Sequence, residues 1–224
     1  VVTVQAAKVG EFADYDLVRK MRGSICVLGP LLARMKKATV SMPGGCLIGT
    51  RPVDLHRKAM SALGAKVAVT GGYITARARK LIGGEMFLGG RSGPTVLGTA
   101  NAMMAATLAE GITVIESAAC EPEVVDLVKF LNNMGAKIQG AGSPTLTITG
   151  VRELGGAEHE VIPDRIEAAT YAIAGVATKG EVTLKGARPD HMKVVLEKLR
   201  ESGVKVEQSE GKLTFKRGRR LRSV

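Results

Sequence analysis

A chain of 224 residues that is 45% hydrophobic, only 3% aromatic and without Trp is long enough for a sizeable core, which must be aliphatic, and its composition excludes a disordered chain. A net charge of +11 favours anionic partners, but the one dense basic run, KRGRRLR (216–222), has no aromatic residues interleaved for base stacking, so no nucleic-acid partner is expected. No apolar run reaches the ~18 residues of a membrane span, no signal-peptide pattern is present, and three widely spaced cysteines (Cys26, Cys46, Cys120) fit neither a disulfide framework nor a zinc site; a reducing cytoplasm is expected, with no membrane, metal or cofactor.

The chain opens in an extended stretch, VVTVQA, without a Met, and stops at RRLRSV, which reads as a piece of a longer protein. DLVRKMRGSICVLGPLLARMKKA (16–38) is apolar nearly all round, as a buried helix is, and TVSMPG (39–44) reads as a strand. SMPGGCLIGTRPVDLH (41–56) then sets a cysteine behind two glycines and runs into an amphipathic helix from Pro52 to Gly64, with Leu55, Ala59 and Leu63 on one face. KVAVT (66–70) and YITAR (73–77) follow as a hairpin.

The pattern then returns. TVLGTANAMMAATLAEG (95–111) is a second apolar helix, ITVIESA (112–118) a strand, and Pro122 to Gly135 an amphipathic helix with Val124, Leu127, Val128 and Leu131 inward. KIQGA (137–141) and TLTIT (145–149) close that copy. In the third, DRIEAATYAIAGVATKG (164–180) and EVTLKG (181–186) precede a helix from Pro189 to Gly203, with Met192, Val195, Leu196 and Leu199 inward, then KVEQS (205–209) and KLTFK (212–216). Each copy reads helix–strand–helix–strand–strand and recurs at about 70 residues. Pro at N1 and a left-handed Gly C-cap punctuate each outer helix. The fold class is α/β, with apolar helices inside and sheets around them.

Several side chains stand outside this architecture. Cys46 sits in a Gly-rich loop leading into a helix, a setting for an accessible, tunable thiol that can act as an acid, whereas Cys26 in an apolar helix reads as an inert small hydrophobe. Arg22, on an otherwise apolar helix, needs an anionic partner. Arg51 can clamp phosphate next to the helix-start amides. Asp54 serves a ligand or only the helix charge, and His56 reads equally as a ligand or a solvated helix position.

The repeat, together with PGGCLIGTRPVDLH, YDLVRKMRGSICVLGPLLAR, AATLAEGITVIESAACEPEVVDL and VIPDRIEAATY, resembles the enolpyruvyl transferases, which have an inside-out α/β barrel. Within them it is most similar to the UDP-N-acetylglucosamine enolpyruvyl transferases; the shikimate-pathway synthases share the barrel but lack the cysteine loop. The resemblance implies transfer of the enolpyruvyl group of phosphoenolpyruvate to the 3′-hydroxyl of UDP-N-acetylglucosamine, the first committed step of peptidoglycan synthesis in the bacterial cytoplasm. It gives Cys46 the roles of general acid, adduct-former with phosphoenolpyruvate and target of fosfomycin. Arg22 would lie near the substrate phosphates, and Arg51, Pro52, Val53, Asp54 and Leu55 would grip uracil and diphosphate. Thr95 stands where the family has Ser, and Val96 matches. Leu97 replaces a Gly, with Gly98 one position late; an upstream Lys is absent, for which Arg91 is the nearest substitute. Cys120 replaces the Arg of REPE and reads as structural. Arg165 contacts ligand or holds the domain crossover.

By the same resemblance, 1–163 is part of the catalytic domain: the end of one repeat and two repeats at about 14–84 and 85–162. Residues 164–224 are one repeat of the partner domain. The family's N-terminal Lys-Asn pair, C-terminal Asp and C-terminal arginines are absent from 1–224, so the chain alone is expected to be inactive. Three alternatives stay open: a shikimate-type enolpyruvyl transferase, a basic nucleic-acid-binding module, and a paralogue that binds UDP-sugars without chemistry.

Overall fold

The computed structural model describes residues 1–44, 52–91, 93–218 and 220–224. The chain divides into two compact units, Val1–His159 and Glu160–Val224.

In the first unit, β1 (Phe12–Ala13) and α1 (Tyr15–Val18) precede a 3-10 helix, Arg22–Val27, then α2 (Leu28–Met35) and β2 (Lys37–Ser41). The single helix expected over 16–38 is thus three pieces. Pro30 gives the reason for the second break: it lacks an amide donor and its ring would meet the carbonyl four residues back, so an α-helix can hold it only in the first turn. The chain accordingly restarts at Leu28, which puts Pro30 third in α2. Lys36, at φ 62°, ends that helix.

The outer helix α3 (Asp54–Ala62) and the hairpin β3 (Lys66–Thr70)–β4 (Tyr73–Arg77) complete the first repeat. The second contains β5 (Glu85–Phe87), a ribbon of β6 (Gly89–Gly90) and β7 (Gly93–Pro94), α4 (Val96–Ala106), β8 (Ile112–Glu116), α5 (Pro122–Asn133), β9 (Lys137–Gln139) and β10 (Thr145–Thr149). The two four-stranded sheets have the same topology, β1-β2-β4-β3 and β5-β8-β10-β9, with a parallel first pair and antiparallel pairs after it. The register also repeats: Lys37 faces Arg77 as Ile112 faces Thr149. Strands β1, β5, β6 and β7 were not expected from the sequence; each has only two or three residues, too few for a period-2 pattern.

Alternate residues of the central strands point inward, Ile74 and Ala76 from β4 and Leu146 and Ile148 from β10. Helix α4, buried along nearly its whole length as its composition predicts, lies against α2, α3 and the 3-10 helix of the first repeat and against α5 and β10 of the second. It packs on α2 so closely that a Cβ on Gly29 would overlap the Asn101 backbone carbonyl.

The second unit repeats the plan once, with α6 (Arg165–Ala177), β11 (Glu181–Lys185), a 3-10 turn (Pro189–His191), α7 (Lys193–Glu201) and the hairpin β12 (Lys205–Ser209)–β13 (Lys212–Lys216), in sheet order β11-β13-β12. Here one expectation fails. α6 buries Ala172, Gly175 and Val176, but Ile166, Tyr171 and Ile173 are 59%, 58% and 52% exposed. Within this unit there is one sheet to pack on, so only one side of the helix is covered.

The outer helices end identically. Gly64, Gly135 and Gly203 have φ of 86°, 101° and 89°, as predicted. In each, the glycine amide and the next amide donate back into the last turn: Gly64 to Ser61 (2.9 Å) and Ala65 to Met60 (3.1 Å), with the same pairs at Gly135 and Gly203. The prolines are less uniform. Pro122 is at N1 of α5, whereas Pro52 precedes the N-cap Val53 of α3, and Pro189 opens the 3-10 turn ahead of α7. All three lack the donor that these positions leave unused, which is why the sequence pattern cannot tell them apart.

Candidate functional site

Cys46 and Arg51 lie outside the described residues. The other predicted site residues of the first repeat come together. Arg22 opens the 3-10 helix rather than sitting inside an α-helix, and its guanidinium donates to the Pro52 carbonyl at 3.2 Å, across 30 residues of sequence. Pro52 and Asp54 are exposed, Val53 is buried, and Leu55 is half-buried. Val53 is the N-cap of α3 and makes no side-chain cap hydrogen bond, so among the described residues no side chain caps the first-turn amides. Asp54 is in that turn, where a carboxylate compensates the helix dipole. A cation and a set of helix-start amides therefore stand side by side, an arrangement suited to an anion.

His56 faces the opposite way from a solvated position: it is 2% exposed, and the inward stripe of α3 is Val53, His56, Ala59, Met60 and Leu63. Its Nδ1 lies 3.0 Å from the Asn101 carboxamide nitrogen. Burial pushes the imidazole pKa down to about 4; the nearby Arg22 charge lowers it further and the Asp54 carboxylate opposes both. His56 is neutral at pH 7.

The second repeat contributes the start of α4. Thr95 is its N-cap, and its hydroxyl accepts from the Gly98 amide at 3.2 Å. Gly98 is fitted to that cap, because a Cβ there would collide with the Thr95 side chain. Val96 is half-buried. One contact joins this end of α4 to the first repeat, and another joins the ribbon before it. The Cys26 thiol lies 3.9 Å from the Leu97 carbonyl. Leu55 sits against Gly90 of the ribbon, with its Cδ1 3.1 Å from where a Cβ would stand. Arg91 is exposed at the ribbon's turn.

The remaining cysteines and cations are placed differently. Burial pushes the Cys26 thiol up to about 11, with Arg22 pulling against it, so it stays protonated, as an inert residue should. Cys120 is exposed, its sulfur 3.6 Å from the Ala118 carbonyl. Arg165 is the first residue of α6 in the second unit, behind the N-cap Asp164. Among the described residues no cluster of His, Cys, Asp or Glu could hold a metal, and no helix is long and apolar enough to cross a membrane.

Sequence reasoning missed Asn101. The available signal was one amide side chain in an otherwise apolar helix, which must find partners once buried.

The sequence matches the family described as EPSP synthase (3-phosphoshikimate 1-carboxyvinyltransferase) over residues 1–224. It is 52% identical over 204 residues to UDP-N-acetylglucosamine 1-carboxyvinyltransferase 1 of Caldanaerobacter subterraneus subsp. tengcongensis, covering 91% of this chain and 48% of that protein. It is 54% identical over 215 residues to the UDP-N-acetylglucosamine 1-carboxyvinyltransferase of Caulobacter vibrioides, covering 95% and 49%. The chain thus spans about half the length of the curated relatives it matches. In fold it is similar to the enolpyruvyl transferase NikO of Streptomyces tendae, with a TM-score of 0.78 at 24% identity, covering 94% of this chain and 50% of that one.

Proposed function

The chain belongs to the EPSP synthase family, and on that premise we propose that the intact protein transfers the enolpyruvyl group of phosphoenolpyruvate to the 3′-hydroxyl of UDP-N-acetylglucosamine, releasing phosphate. The substrates are those that the names of the relatives at 52–54% identity imply. The structural observation that carries the reading is the pairing of Arg22 with Pro52. It fixes a cation beside the uncapped start of α3, where a nucleotide diphosphate would be held.

In the mechanism, Cys46 is the acid. Its thiol gives a proton to C3 of phosphoenolpyruvate, which leaves C2 electrophilic, and the sugar oxygen adds there as its hydroxyl proton passes to the C-terminal Asp that the family resemblance implies. Loss of phosphate from C2 and of one proton from C3 restores the double bond on the sugar. The same thiol adds to C2 to give the covalent adduct and is the site that fosfomycin alkylates. Arg22, Arg51 and the Pro52–Leu55 segment bind the uridine diphosphate, with Thr95 and Val96 on the second repeat's side. The Thr95 hydroxyl accepts from the Gly98 amide, which leaves its own O–H to donate to the ligand.

The first unit is then part of the catalytic domain and the second a repeat of the partner domain, in a cytoplasmic enzyme of bacterial cell-wall synthesis. The chain alone, at half the length of its relatives, lacks turnover. Cys46→Ser in the intact protein tests the reading: phosphate release that depends on both substrates should fall at least a hundredfold, on the order of a lost general acid. Unchanged release would remove Cys46 from the mechanism.

A further inference from the structure

Asn101 is fully buried on α4, among Ala, Met, Thr and Gly. An unpaired carboxamide there would be strongly destabilising. It is paired three times instead, each time to a different element. Its Oδ1 accepts from the Gly29 amide in α2 at 2.5 Å. Its Nδ2 donates to the Ile25 carbonyl in the 3-10 helix at 2.9 Å and meets His56 Nδ1 in α3 at 3.0 Å.

The two backbone partners fix the assignment. A backbone N–H can only donate and a carbonyl can only accept, so the oxygen of the carboxamide faces Gly29 and the nitrogen faces Ile25. The other hydrogen of that nitrogen points at His56, whose Nδ1 must accept. The imidazole proton is thereby left on Nε2.

The elements tied together are those that carry the anion-binding groups. Ile25 belongs to the 3-10 helix that Arg22 opens, and His56 follows directly on Pro52–Leu55. Arg22 and Pro52 touch at the surface; beneath them, one carboxamide joins the same two segments a second time. The close approach of α2 and α4 at Gly29 leaves that carboxamide no slack.

We propose that Asn101 is a positioning residue: it holds the Arg22 segment and the start of α3 in one register and fixes His56 as the Nε2–H tautomer. The ligand that benefits is taken from the proposed function; the hold on His56 and Arg22 is independent of it.

The test uses the 224-residue chain, labelled with nitrogen-15. Long-range proton–nitrogen correlations at pH 7 should show His56 with Nε2 protonated and Nδ1 bare. In Asn101→Asp the carboxylate cannot donate, so the proton should appear on Nδ1. In Asn101→Ser, which is less disruptive to folding, the tautomers should mix. In both, the Arg22 Nη2 signal, whose hydrogen the Pro52 carbonyl accepts, should shift from its wild-type position, and titration with UDP-N-acetylglucosamine should give a Kd weaker by about tenfold. A wild-type His56 protonated on Nδ1 overturns the proposal without any variant. So do folded variants whose His56 tautomer, Arg22 signal and Kd are unchanged. A wild-type chain that binds no UDP-N-acetylglucosamine contradicts the ligand reading alone, and the His56 and Arg22 signals then decide the positioning role.

Discussion

The His56 imidazole and the Asn101 carboxamide meet at 3.0 Å with both side chains sealed from solvent, His56 at 2% and Asn101 at 0% exposure. A charged imidazole would turn a proton toward a group that can only donate, in a site that burial already makes unfavourable for charge.

That contact carries a pH dependence. His56 titrates near 6.5 when unfolded and at about 4 in the fold, lowered first by burial and then by Arg22. Between those values the unfolded chain binds more protons, so stability is complete above pH 6.5 and falls as the pH drops toward 4. The loss attributable to His56 is roughly 3 kcal/mol. Urea midpoints of wild type and His56→Gln across this range should diverge near neutrality and converge toward pH 4.

Gly29→Ala should destabilise by about 2 kcal/mol or more, because the added methyl meets backbone rather than a movable side chain. Gly64→Ala and Gly135→Ala should each cost about 1 kcal/mol, since both sites open onto free space and only the positive φ is strained. Denaturation midpoints of the three variants should rank in that order, and the two cap variants should add, as independent sites do.

Thiol chemistry separates the cysteines. At neutral pH a thiol held at about 11 is almost entirely protonated, so Cys26 should alkylate last in the folded chain. Peptide mapping after brief alkylation should find the exposed Cys120 modified well before Cys26. Early labelling of Cys26 would contradict the raised pKa of its half-buried thiol.

Much of the fold was legible because the repeat states it three times. The strands 66–70, 73–77, 145–149, 205–209 and 212–216 appear where alternation and turn residues put them, and the three glycine caps are at the predicted residues. The helix over 16–38 was misread because apolar periodicity runs straight through Pro30, and the break depends on a steric rule that periodicity does not contain. The exposed face of α6 was misread because apolarity tells what a helix could bury, not what covers it.

The site was legible in part. Arg22 and Pro52 were picked out separately, by charge in an apolar run and as the N1 proline of a helix; that they touch follows from packing. His56 was ambiguous because a histidine on the α3 stripe pairs inward only if a buried partner awaits it. Asn101 is that partner, 45 residues further along the chain.

The most direct test of the central claim is the acceptor that the intact protein uses. Phosphate release from phosphoenolpyruvate is measured with UDP-N-acetylglucosamine or with shikimate 3-phosphate as the second substrate. The account predicts release with UDP-N-acetylglucosamine and none above background with shikimate 3-phosphate. Release with shikimate 3-phosphate alone, or with neither, would contradict it.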